Sequence, residues 1–155
     1  MMMMPLINRL LASLQNQNAF DQPHHASCTG GDAMYKVSSV HDNHHEDRTW
    51  TWECHRILES GYPKCHETDY VNDFDQPMSF TCGPNEFITG TDSYHSNHHE
   101  DRRWKFRCCS APDYKATGCR ITEKYVNEFD GPLKFSTGPG EAITGVFSYH
   151  NNHYA

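Results

Sequence analysis

The stretch HHEDRRWKFRC at residues 98–108 decides the fold, and it returns as HHEDRTWTWEC at residues 44–54. From Arg102 onward, Arg, Trp, Phe and Cys alternate with Arg, Lys and Arg. This is the period-two pattern of a β-strand with one buried face. The upstream copy keeps Arg, Trp, Trp and Cys in the first set but changes the second. We therefore expect the first set to be the scaffold of the strand. Together with the aspartate before each arginine, the residues assigned a structural role are Asp47, Arg48, Trp50, Asp101, Arg102 and Trp104.

A second segment shows that the unit occurs three times. FDQP begins at Phe20 and Phe74, and FDGP begins at Phe129, so the spacings are 54 and 55 residues. A fixed period of this length is typical of one supersecondary unit whose copies cover each other's apolar faces. The sequence therefore predicts one domain at residues 18–155 with approximate three-fold pseudosymmetry. Its repeats are expected at about 18–54, 55–109 and 110–155.

The remainder of each unit also predicts strands. Residues 87–95 form a second candidate strand, joined to the first through a polar hairpin loop at 96–100. Residues 77–82 form a third, which ends at a Gly-Pro-Asn turn. The expected fold class is all-β, an antiparallel assembly of hairpins. Arginines on the buried face need partners there, and the candidates are the neighbouring aspartates, the FDxP carboxylates and the tryptophan rings.

The third repeat is incomplete, and its losses predict two disulfides. It lacks the Asp-Arg-x-Trp segment, and Thr137 stands at the position of Cys82. Repeat three thus has a cysteine at neither the position of Cys82 nor that of Cys108, as expected if these two are bonded. We predict Cys28–Cys54 and Cys82–Cys108, each stabilising the fold by about 3–4 kcal/mol through loop closure. The alternative is a set of buried free thiols.

Three cysteines remain: Cys65, Cys109 and Cys119. A Cys109–Cys119 bond would close a short loop and leave Cys65 with a mixed pairing, an intermolecular bond or a partner outside this sequence. No Cys-x2-Cys spacing occurs, which argues against a thiolate zinc site. Disulfides indicate an oxidising compartment, and therefore a secreted protein.

Composition agrees with one modest secreted domain. Apolar residues make up 36% of the 155 residues and the mean hydropathy is −0.82, so the core is expected to be thin, aromatic and crosslinked. Residues 1–17 are predicted to be a poorly structured or amphipathic lead. No stretch approaches the length of a membrane span.

The segments DYVNDFDQPMSF at 69–80, YHSN at 94–97 and EDRRWKFRCC at 100–109 resemble the dermatopontin family, and the resemblance covers about residues 18–153. Members of that family are extracellular-matrix proteins with repeated Asp-Arg-x-Trp-x-Phe/Tyr-x-Cys motifs. The resemblance implies a secreted, disulfide-bonded, non-enzymatic protein that associates with collagen and proteoglycan and supports cell adhesion. Lectin-like agglutinins among the invertebrate relatives imply carbohydrate binding as the alternative.

Histidine is abundant, with twelve residues that lie mostly in three equivalent loops. His95, His98 and His99 stand next to Glu100 and offer the ligand types of zinc or copper. Adjacent side chains on a strand point apart, so we interpret these loops as polar and solvated and predict no metal and no cofactor. Full protonation of all twelve would change the formal charge from −7 to +5.

The sequence predicts a binding protein and no enzyme, because no nucleophile elbow, metal-hydrolase helix or phosphate loop is present. The net charge of −7 argues against nucleic acid as a partner. A cationic row in repeat two, flanked by histidines, favours an acidic polysaccharide: Arg103, Lys105, Arg107, His95, His98 and His99. Two hypotheses follow, a structural matrix protein that bridges collagen or proteoglycan and self-associates, and a lectin with several weak equivalent sites.

Overall fold

The computed structural model describes residues 17–58, 63–112 and 114–154, so the predicted lead at 1–17 lies outside the described residues except for Gln17. Within these ranges the chain forms nine strands and one short 3-10 helix. The strands are β1 (His24–Ser27), β2 (Asp32–Asp42), β3 (Asp47–Arg56), β4 (Lys64–Glu67), β5 (Met78–Thr81), β6 (Phe87–Ser96), β7 (Asp101–Ser110), β8 (Leu133–Ser136) and β9 (Gly145–Ser148), and the 3-10 helix is Asn152–Tyr154.

The strands form three antiparallel sheets, so the predicted all-β class is confirmed. Their orders are β1-β6-β7-β4, β3-β2-β8 and β5-β9. Two long hairpins, β2–β3 and β6–β7, supply most of the pairing, and each closes through one of the polar loops expected from the sequence. Among the described residues, no helix has the length and apolar character needed to cross a membrane.

Each repeat gives its short first strand to the next repeat. β1 of repeat one pairs with β6 of repeat two, β5 of repeat two with β9 of repeat three, and β8 of repeat three with β2 of repeat one. The registers are equivalent, since His24 faces Ser93, Met78 faces Ser148 and Leu133 faces Ser39. The repeats are therefore linked in a cycle. Three-fold pseudosymmetry of the whole domain stays a prediction, because repeat three contributes only two four-residue strands.

The core lies between the hairpins and is rich in aromatic side chains. Trp104 and Phe106 of β7 are 6% and 2% exposed, and Trp52 of β3 is 6% exposed. The rings of Trp50 and Trp104 meet edge to face with centroids 4.9 Å apart, and Phe80 stacks on Phe106 at 4.7 Å. Aromatic rings of this size bury much apolar surface in few residues, which suits a chain with little apolar content.

Three disulfides crosslink the sheets. Cys28–Cys54 and Cys82–Cys108 are both present, as predicted from the sequence. The predicted Cys109–Cys119 bond is wrong, because Cys109 is bonded to Cys65. The physical reason is register: β4 pairs with β7 so that Cys65 lies directly opposite Cys109. Cys119 is an exposed free thiol.

Candidate functional site

Three aromatic rings and two cations share the outer face of the β6–β7 hairpin. We call this surface the aromatic–cationic patch, and it consists of Tyr70, Phe74, Tyr94, Arg103 and Lys105. The two cations alternate with the buried residues of β7 and so project from the opposite face. Tyr94 of β6 lies directly across from Arg103 in the hairpin.

The segment before β5 brings the other two rings to this face. Asn72 anchors it, because its Oδ1 accepts a 2.8 Å hydrogen bond from the Trp104 N–H and its Nδ2 donates a 2.8 Å bond to the Arg102 carbonyl. The Val71 N–H donates to the Trp104 carbonyl at 2.9 Å. The segment therefore runs along β7 and holds Tyr70 and Phe74 beside the outward cations.

The cations lie against the ring faces. The Arg103 guanidinium carbon is 4.6 Å from the centroid of Tyr70 and 5.9 Å from that of Phe74, and Lys105 Nζ is 4.4 Å from the centroid of Tyr70. Tyr94 packs edge to face against both Tyr70 and Phe74, at 5.2 Å and 5.5 Å. Cation–π contacts of this kind fix the direction of otherwise flexible side chains and leave their charge available.

Nearby carboxylates only partly balance these charges. Arg103 Nη2 is 3.4 Å from Asp73 Oδ1, but the Asp73 side chain is 84% exposed. Asp92 lies opposite Lys105 in the hairpin, and it is also paired with His25. Exposed ion pairs contribute little, at most about 1 kcal/mol, so an incoming anion can replace them.

Arg107 alternates on the same side of β7 as Arg103 and Lys105, but hydrogen bonds hold its guanidinium, so we leave it out of the patch and its role in ligand binding stays a prediction. Its Nε donates to Thr89 Oγ1 at 2.9 Å, and its Nη2 donates to the carbonyls of Cys28 at 2.7 Å and Thr89 at 3.2 Å. These hydrogen bonds hold the end of β1 against β6, so the Arg107 guanidinium has a structural role.

The three histidines predicted to flank the row occupy different environments. His95 does not lie on the surface, because its side chain is 1% exposed and faces Asp21 and Asp47 of repeat one. His99 stacks on Phe74 of the patch with ring centroids 4.5 Å apart. His98 is exposed next to His99. Of these three histidines, only His98 and His99 lie beside the patch.

The buried arginine of repeat two finds its partner in repeat one. Arg102 Nε donates to Asp47 Oδ1 at 2.7 Å and Nη2 donates to Asp47 Oδ2 at 2.6 Å, and both residues are 5% exposed. Burial alone would raise the pKa of Asp47, but the hydrogen bonds and charge of Arg102 outweigh burial and hold that pKa below its usual value. The arrangement favours the structural interpretation of the repeated arginines.

Three groups of side chains bring metal-ligating atoms within 4.8 Å of one another in the described residues: Asp21, Asp47 and His95; Asp75, Asp101 and His150; and His66, Glu86 and Cys108. In the first, the Arg102 guanidinium already neutralises Asp47. In the third, the Cys108 sulfur is in a disulfide. The second contains two carboxylates and an imidazole without a guanidinium between them.

Sequence reasoning found the cations of the patch but missed its rings. The position of Tyr94 could have been predicted, because a hairpin that closes between Ser96 and Asp101 places this residue across from Arg103. Tyr70 and Phe74 lie outside any strand, and period-two patterns do not detect them.

The fold and this surface define a disulfide-bonded all-β repeat domain with an exposed patch of rings and cations. The chain belongs to the dermatopontin family, whose model, described as Dermatopontin, matches residues 18–155.

Relatives in three organisms agree with this assignment. A "Hemagglutinin/amebocyte aggregation factor" of Limulus polyphemus is 43% identical over 140 residues, which cover 88% of this chain and 78% of the relative. A "Dermatopontin" of Biomphalaria glabrata is 40% identical over 130 residues, covering 84% and 86%. "Millepora cytotoxin-1" of Millepora dichotoma is 34% identical over 139 residues, covering 88% and 60%. No solved structure matches. These matches indicate no enzyme family.

Proposed function

We propose that this protein is a secreted, non-enzymatic matrix and adhesion protein that binds acidic polysaccharide, including the glycan chains of proteoglycan, through the aromatic–cationic patch. The observation that carries the proposal is the position of Arg103 and Lys105 against the ring of Tyr70 on an exposed sheet face. Membership of the dermatopontin family and the names of its relatives support an extracellular role in adhesion. Collagen contact and self-association through other surfaces are compatible with this function.

The chemistry of the patch matches an acidic sugar polymer. Sugar rings present C–H groups that pack on aromatic faces, and sulfate or carboxylate groups pair with a guanidinium or an ammonium. The net charge of −7 opposes polyanions elsewhere on the surface, so binding is confined to this patch. Repeat one has Val40, Thr49 and Thr51 in place of Tyr94, Arg103 and Lys105, so an equivalent cationic patch is missing there.

The test compares variants that carry equal charge changes at different places. Binding of a sulfated oligosaccharide is measured for the wild type, for Arg103→Ala with Lys105→Ala, and for Lys124→Ala with Lys134→Ala, which removes two exposed cations outside the patch. The double variant is expected to lose affinity by at least about tenfold, and binding should weaken with salt. Equal affinities for the three proteins would contradict the proposal.

A second candidate is recognition of neutral sugar by the same rings. The exposed ring of Tyr70 and the hemagglutinin named among the relatives favour it. In that case, binding of a neutral oligosaccharide would survive the Arg103→Ala and Lys105→Ala changes and high salt, but would be lost with Tyr70→Ala.

A further inference from the structure

A buried histidine faces three carboxylates where repeats one and two meet. The His95 side chain is 1% exposed, and its Nε2 lies 3.4 Å from Asp21 Oδ1 and 3.6 Å from Glu100 Oε2. On the other side of the ring, Nδ1 lies 3.3 Å from Asp47 Oδ1. Asp21 and Asp47 belong to repeat one, and His95 and Glu100 belong to repeat two. The fold therefore brings together side chains that lie far apart in the sequence.

Hydrogen bonds do not account for this cluster. Neither ring nitrogen of His95 has a hydrogen-bond partner within the described residues, and the buried Oδ1 of Asp21 has none either. Buried polar atoms almost always have a partner, so such a set needs an explanation. In repeat one the equivalent histidine is satisfied locally, because His41 Nε2 is 3.0 Å from Asn43 Oδ1. The unsatisfied atoms at His95 indicate a ligand that bonds to nitrogen and oxygen together.

The spacing of these atoms fits a tetrahedral zinc ion. Zinc bonds imidazole nitrogen and carboxylate oxygen at about 2.0–2.2 Å, so two of its ligand atoms lie about 3.3–3.6 Å apart. The distances from His95 Nε2 to Asp21 and Glu100 are in this range, and both are long for hydrogen bonds. Glu100 lies at the hairpin turn with its side chain 35% exposed, so its carboxylate can rotate toward the ion. Calcium and magnesium prefer oxygen ligands alone, so the imidazole disfavours them.

Asp47 contacts the second nitrogen of the ring. A histidine that binds a metal usually donates its other N–H to a carboxylate, which fixes the orientation of the ring. Asp47 Oδ1 is placed for this contact with His95 Nδ1. The charges also balance. Arg102 binds both oxygens of Asp47 and neutralises it, so the carboxylates of Asp21 and Glu100 are available for the two positive charges of zinc.

We propose that His95, Asp21 and Glu100 bind one zinc ion, with Asp47 orienting the histidine ring and water as the fourth ligand. The ion joins the FDxP segment of repeat one to the hairpin turn of repeat two, so it crosslinks the two repeats. The proposal replaces the expectation of no metal, which rests on neighbouring side chains that point apart; here the ligands come from two repeats.

Repeat one provides a matched control position for this site. Glu46 occupies the turn position equivalent to Glu100, and both residues have a positive φ of 49°. His41 faces Asp130 at 3.2 Å, but in the described part of the chain it forms no ion pair with Glu46. A change at Glu46 therefore alters the same charge in the same kind of turn without touching the zinc ligands.

Calorimetric titration with zinc chloride tests the site. Every protein carries Cys119→Ser, so that the exposed thiol does not bind the metal. We expect one zinc ion per chain to bind more tightly than the background of the exposed histidines. Asp21→Asn and Glu100→Gln keep the shapes of their side chains and should each lower this affinity at least about tenfold. Glu46→Gln should leave it unchanged.

NMR of the protein without changes at the site gives a readout that does not depend on how the variants fold. One equivalent of zinc should shift the ring signals of His95 and leave those of His41 in place. Calcium chloride and magnesium chloride at the same concentration should shift neither ring, because both ions disfavour an imidazole ligand.

Two results would overturn the proposal. Zinc binding no tighter than the histidine background would mean that His95 and its carboxylates form only a structural cluster. Equal affinities of the parent protein, Asp21→Asn and Glu100→Gln, with shifts at His98 and His99 in place of His95, would place the ion at the exposed loop.

Discussion

The ion pair between Arg102 and Asp47 joins repeats one and two, and replacing Arg102 tests how strongly this pair stabilises the fold. Arg48, at the equivalent position of the β2–β3 hairpin, is the matched control. Replacing Arg102 by Met keeps the apolar stem but removes two charge-assisted bonds to Asp47 and the bonds to Ser93 and Gln22. The Asp47 carboxylate then stays buried without a cation. Breaking a buried pair in this way costs about 3–5 kcal/mol.

Arg48→Met removes the hydrogen bonds to Gly131 and Ser39, one of them long, and charge interactions with Asp130 and Asp47, so we expect a loss of about 1–2 kcal/mol. The free energy of unfolding is measured by urea denaturation with the disulfides intact, with an unchanged m-value as the criterion that the same structure unfolds. Adding Asp47→Asn to Arg102→Met should recover part of the loss, with a coupling energy of about 1–3 kcal/mol. Equal losses for the two arginine variants, or no coupling, would refute the assignment of Asp47 as the partner.

Three further predictions concern pH, the core and the cysteines. Burial, aided by the positive charge of Arg102, lowers the pKa of His24 from 6.5 to about 4. Between these pH values the unfolded chain binds a proton at His24 and the folded protein does not. Stability should therefore fall by about 3 kcal/mol between pH 6.5 and 4, less so in a His24→Gln variant, as measured by urea midpoints; an equal fall in both proteins would argue against it. Trp104→Ala should cost about 3–5 kcal/mol by the same assay, and a cost near zero would mean that this ring is not in the core. Peptide mapping of the unreduced protein should find Cys65 joined to Cys109. Alkylation of the folded, unreduced protein should label only Cys119. A crosslinked Cys109–Cys119 peptide would instead support the pairing expected from sequence.

The strands and two disulfides could be predicted because their signals are local or repeated. Alternation around Trp104 identifies the buried face of one strand without knowledge of its neighbours. The equal separation of 26 residues in Cys28–Cys54 and Cys82–Cys108 marks these bonds as equivalent in two repeats. Both signals can be read from the sequence alone, because one repeat can be compared with another.

Other features could not be predicted because they depend on how the repeats pair. The Cys65–Cys109 bond follows from the register of β4 on β7, which no spacing in the sequence encodes. His95 is buried because repeat one covers it, although its own loop is polar. Arg107 turns from the row of Arg103 because carbonyls at the end of β1 accept its donors.

Localising a bound glycan tests the proposed function most directly. Aromatic and backbone NMR signals are recorded while a short sulfated oligosaccharide is added to the wild-type protein. We predict shifts confined to Tyr70, Phe74, Tyr94 and the outer face of β7, with transfer of saturation between the sugar C–H groups and the Tyr70 ring. Shifts concentrated at the β2–β3 hairpin or at β8 and β9, with Tyr70 unaffected, would contradict the aromatic–cationic patch as the binding surface.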